Sequence, residues 1–189
     1  MEQQFPVEQA IRSRRTIKKF KSDDIPMDTL KSLLDVAIWA PNHKMREPWR
    51  FIIITGNARA SFVRILEEES LKGKDAVPMK EAKIAHWLSI PAYVVVVQQE
   101  DPRPQIREED FAAVSALIQN FQLAAWEQGI GTLWNTNKHI YNPVLREAIG
   151  VTLGEKIVGV IQAGYPAHVP TAMERTPAKE KLTILTDAF

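Results

Sequence analysis

The chain contains no cysteine, which excludes disulfides, thiolate metal sites and a cysteine nucleophile, and is compatible with a reducing compartment. Long apolar runs are missing too. The longest, Leu88 to Val97, is broken by Pro91 and is far short of a membrane span. Met1 to Gln4 is polar, unlike the apolar core of a signal peptide. These absences predict a cytoplasmic protein with no membrane partner. Neither GxGxxG nor GxxxxGK[ST] occurs, so the common nucleotide-binding fingerprints are lacking. Of the four histidines, His86, His139 and His168 have no ligand spacing, and no metal site is expected. Net charge is almost absent, at +1, with a pI near 8.0. A domain that binds nucleic acid usually carries broader basic character, so no nucleic-acid partner is expected.

What is present suits one soluble domain over residues 1–189, with 45% apolar and 25% charged residues. A short helix is predicted at 6–13, with Val7, Ala10 and Ile11 on one face. A second starts at Pro26, carries Leu30, Leu33, Leu34, Ala37 and Ile38 at helical spacing, and stops before Pro41. Trp49 to Thr55 predicts a buried strand and 57–69 a helix. Residues 70–80 predict a mobile loop, and Ile84, Trp87 and Leu88 a short helix. Tyr93 to Gln98 predicts a second strand. The longest helix is placed at 108–128, stopped by Gly129, with an apolar stripe wide enough for an internal core helix or a dimer seam. A strand at 130–136 follows, then a helix at 142–149 with Asn142 as N-cap, a strand at 156–163 and a β-like tail at 182–185. The order is that of an α+β layer fold.

Charge is concentrated in RSRRTIKKFK, where Arg12, Arg14, Arg15, Lys18, Lys19 and Lys21 have no acidic residue among them. Taken alone, this run admits a solvated helix end, a nucleic-acid patch or a site for one small anion. Arginine forks suit phosphate oxygens, and Thr16 adds a hydroxyl. A second segment, Ala40 to Phe51 (APNHKMREPWRF), holds an extended loop between prolines, with Asn42, His43 and Lys44 at its tip. A third, Gly164-Tyr165-Pro166, is followed by Arg175.

Together these three segments resemble the nitroreductase family of FMN-dependent oxidoreductases, closest to its minimal bacterial members. The resemblance spans essentially the whole chain. It implies a nitroreductase-like three-layer sandwich, with a central, mostly antiparallel sheet flanked by helices, in an intertwined homodimer. It also implies FMN in a cleft between subunits, with NAD(P)H as co-substrate and a small electron-poor acceptor, such as a nitroaromatic or quinone, reduced by a ping-pong scheme. By similarity, Arg14, Arg15, Thr16 and Lys18 line one side of the FMN site and Arg175 reaches the phosphate. Asn42 and His43 come from the partner subunit, and Leu133, Trp134 and Asn135 border the flavin ring. Lys18 stands where arginine is common and Glu47 where glutamine is usual. No catalytic acid or base is assigned, because flavin itself carries the electrons. A flavin-binding protein for storage or sensing is the alternative.

Overall fold

The computed structural model describes residues 6–70 and 77–186. Four strands form one sheet: β1 (Trp49–Ile54), β2 (Ala92–Gln99), β3 (Gly131–Asn135) and β4 (Glu155–Gly164). Their order is β1-β2-β4-β3 and every pairing is antiparallel. The helices are α1 (Pro6–Ser13), α2 (Met27–Ala37), α3 (Ala58–Ser70), α4 (Val77–Leu88), α5 (Pro104–Glu127) and α6 (Pro143–Ala148). Short 3-10 turns lie at His43–Met45, Lys138–Tyr141 and Ala178–Lys181.

The three expected layers are present. On one sheet face Val94, Val96, Val158 and Ile161 pack against Leu30 and Leu33 of α2 and Val114, Leu117, Ile118 and Phe121 of α5. On the other, Tyr93, Val95, Val97 and Val160 meet Phe62 and Leu66 of α3, Trp87 of α4 and Leu145 of α6. Strand β2 is flanked by strands on both sides and covered on both faces, which is why AYVVVVQ is a continuous apolar run rather than an alternating one. Core leucines such as Leu117 have no exposed surface.

Several boundaries differ from the sequence expectation, each for a local reason. Strand β1 is an edge strand, so Trp49 to Ile53 are half-buried rather than buried. Helix α4 begins at Val77, inside the segment expected to be loop; residues 71–76 of that segment lie outside the described residues. Helix α5 starts four residues early, because Pro104 fits the first turn of a helix. Its end is as expected: Gly129 takes φ +73° and donates to the Trp126 carbonyl. Asn142 caps α6 through the N–H groups of Val144 and Leu145. The tail at 182–185 pairs with no strand, and Leu182, Ile184 and Leu185 are exposed. Alternation without an available sheet edge does not make a strand.

Candidate functional site

The basic run folds in two parts. Helix α1 carries Arg12. From Arg14 the chain becomes extended and lies along the sheet edge, where Ile17 N–H donates to the Thr132 carbonyl at 3.0 Å and Thr16 bridges Thr132 in parallel. Further on, Lys21 N–H donates to Tyr165 and Ala167 N–H to Lys19. Ile17 is fully buried and is the anchor of this arm. It fits because position 131 is glycine: a Cβ there would collide with the Ile17 side chain and with Pro166. The Gly164-Tyr165-Pro166 signature is therefore the surface onto which the basic arm is zipped.

This docking opens a cleft of about 1140 Å³ between α1, the start of the arm and the loop at 170–175. Arg14, Arg15, Thr16 and Arg175 line it, with Val7, Ile11 and Met173 as its apolar part. Arg15 is braced from Nη1 to the carbonyls of Arg12 and Arg14, both at 2.7 Å. Arg14 is half-buried, and its Nη1 is shielded from solvent with no hydrogen-bond partner. Loss of water, then repulsion from Arg15 and Arg175, pushes its pKa down from the ordinary arginine value. Among the described residues no carboxylate lies within ion-pair distance of Arg14, Arg15 or Arg175. A shielded cation without a counter-charge is unfavourable by itself, and an anion with several oxygens would satisfy it.

The loop at 40–48 stands elsewhere. His43 Nδ1 lies 4.0 Å from Glu109 Oε2, and Arg46 grips Asp110, both in the first turns of α5. The basic cleft adjoins the other end of α5, where Trp126 Nε1 donates to Ser13 Oγ at 2.9 Å. Residues 109 and 126 are about 25 Å apart along a helix rising 1.5 Å per residue. Within one chain the two predicted halves of the site do not meet.

The loop is strongly constrained. Lys44, Met45 and Glu47 have φ of 53°, 51° and 45°, a left-handed region that costs side-chain-bearing residues about 1 kcal/mol or more each. Asn42 Oδ1 holds the turn from inside by accepting from Glu47 N–H at 3.0 Å, while its amide donates to the Ala40 carbonyl. Arg46 holds it from outside. Its Nε and Nη2 each reach Asp110 at 3.0 Å, and Nη2 also reaches Asp101 at 3.2 Å. Asp101 in turn accepts from Arg103 and is held well below the usual carboxylate range, chiefly by that bond. This network escaped the sequence reading, since Asp110 sits on the apolar stripe of α5. A charged residue inside that stripe was the available signal.

The remaining predicted positions lie on or beside the sheet. Lys18 is exposed and does not line the cleft. Trp134 lies over Gly159 of the neighbouring strand, where any Cβ would collide with the indole, and its Nε1 donates to the Val158 carbonyl at 3.3 Å. The ring thus packs against the core on the α5 side. Leu133 occupies the alternate position, and Asn135 Oδ1 accepts from Asn137 N–H. None of these three residues lines the cleft.

Among the described residues no cluster of three potential ligands could hold a metal ion, and no helix is long and apolar enough to cross a membrane. Over residues 11–165 the chain matches the profile described as "Nitroreductase family". A relative from Bacillus subtilis (strain 168), named "Putative NAD(P)H nitroreductase YfhC", is 39% identical over 178 residues, 92% of this chain and 91% of its own length. A crystal structure of a nitroreductase-like family protein from Bacillus cereus superposes with a TM-score of 0.89 at 38% identity, covering 98% of each chain. The FMN-dependent nitroreductase NfnB from Mycobacterium smegmatis, crystallised with NADPH, shares the fold at 15% identity, with a TM-score of 0.78 over 96% of this chain and 98% of that one.

Proposed function

The chain belongs to the nitroreductase family, and from that membership we propose an FMN-dependent oxidoreductase that moves reducing equivalents from NAD(P)H to a small electron-poor acceptor by a ping-pong scheme. The observation that carries this reading is the buried, unpartnered Nη1 of Arg14, set beside Arg15 and Arg175 in an open cleft. The dianionic phosphate of FMN fits that donor set in charge and in number of oxygens. Arg14 and Arg175 would hold the phosphate, with Arg15 braced behind them and Thr16 supplying a hydroxyl. FMN, when bound, supplies the hydride and electron transfer. The protein fixes its position, and positive potential near the flavin favours the form that carries more negative charge.

The site is read as shared between two copies of the chain. Support comes from the separation of its halves: the cleft and the Asn42–His43 loop lie at opposite ends of α5, so an antiparallel second copy brings a loop to each cleft. Apolar side chains are also uncovered: Val7 and Ile11 line the cleft, and a second groove that shares Val7 exposes Trp39 to 86%. The second copy also supplies a use for Asn42 and His43, as hydrogen-bonding groups facing the bound acceptor. A cytoplasmic location accords with the cysteine-free composition.

Purified protein is expected to be yellow, absorbing at about 450 nm as flavins do, and to bleach when NAD(P)H is added without oxygen. Protein that stays colourless after FMN is supplied would sink the reading. Slow or absent bleaching of a yellow protein would point instead to flavin storage or sensing.

A further inference from the structure

Asp110 is 2% exposed, the least exposed carboxylate among the described residues, and lies one turn before Ala113 and Val114 on the buried stripe of α5. A well-packed apolar residue there would be at least as stable as a buried ion pair, so stability alone does not account for it. Its partner does. Arg46 sits inside the turn whose left-handed residues need external support, and it meets Asp110 with two donors in a fork. A second tie runs alongside: Gln105 donates to Glu109 at 3.0 Å, and Glu109 faces His43.

We propose that Arg46 and Asp110 are positioning residues for the Asn42–His43 loop, and that each pair serves the flavin site of the other subunit. The inference rests on the shared-site reading above. A chain's own Arg14 is at the far end of α5, so its Asp110 orients groups that only the partner's cleft can use. The pair touches neither phosphate nor flavin. Its loss therefore separates turnover from FMN retention, whereas loss of Arg14 weakens both.

The test uses two full-length variants with different affinity tags. Asp110→Asn is expected to bind FMN within about threefold of wild type while turnover falls tenfold or more; Arg14→Ala is expected to bind FMN roughly ten- to a hundredfold more weakly and to lose turnover with it at limiting FMN. Co-expression yields mixed dimers. In these, one of the two sites combines an intact Arg14 with an intact loop, so the purified mixed dimer should recover about half of wild-type turnover per dimer. A mixed dimer no more active than the Asp110→Asn homodimer would overturn action across subunits, and wild-type turnover in Asp110→Asn would overturn positioning. A wild-type protein that is monomeric, or takes up no FMN, overturns the shared-site reading and this proposal with it. If Asp110→Asn does not fold, Arg46→Lys takes its place. That variant keeps a charge beside Asp110 but loses the fork, and should show a several-fold loss of turnover at a near-wild-type melting temperature, again restored in the mixed dimer.

Discussion

At the C-terminal end of α5, Arg14, Arg15 and Arg175 face a cleft and meet no carboxylate among the described residues; at its N-terminal end, Arg46 and Arg103 are bonded to Asp110 and Asp101. The side chains are of one kind and the surroundings are opposite. Paired arginines hold a turn in place. Arginines without a carboxylate leave bonding capacity that a ligand can complete. The distinction separates architecture from binding without reference to any bound molecule.

Removing the arginine at each end tests the comparison most severely. Arg46→Ala leaves Asp110 buried without its main partner and should lower the urea midpoint clearly. The same change at Arg14 removes repulsion rather than a bond, so the apo protein should lose no stability. Instead Arg14→Ala should weaken FMN binding by roughly 1.5–3 kcal/mol in a fluorescence titration. If both variants lose similar stability, the contrast between the two ends is wrong.

Acid extends the paired side of the comparison. Glu155 is held at about 2, below its ordinary 4.5, first by the hydrogen bond from Arg50 at 2.6 Å and also by Thr152. A carboxylate with a depressed folded value contributes stability that is full above 4.5 and lost as pH falls toward about 2. Urea midpoints should therefore fall across that window, and less steeply in Glu155→Gln. Inorganic phosphate should raise the melting temperature of the apo protein by a few degrees, and Arg14→Ala should abolish the rise. The smallest effect is expected at the exposed Arg12–Glu8 pair, where Glu8→Gln should change stability by less than about 0.5 kcal/mol.

The legible parts of this chain were those with local causes. Gly129 stops α5, Asn142 caps α6, and the unbroken valines of β2 announce a strand, whereas the start of α5 at Pro104 went unread. The run of cations at 12–21 was visible as well, though its meaning was not. The role of Arg46 was not visible, because its partner lies 64 positions away. The tail at 182–185 misled, since alternation describes a strand's faces but not whether an edge is free to receive it.

The four paired strands, the presence of the six helices, the α+β class and the family follow from short stretches of chain, because capping, periodicity and short motifs act over a few residues. Tertiary structure alone decided which cations are paired. Ion pairing depends on distances through space, and here it is set by Ile17 docking beside Gly131 and by Arg46 reaching across to Asp110.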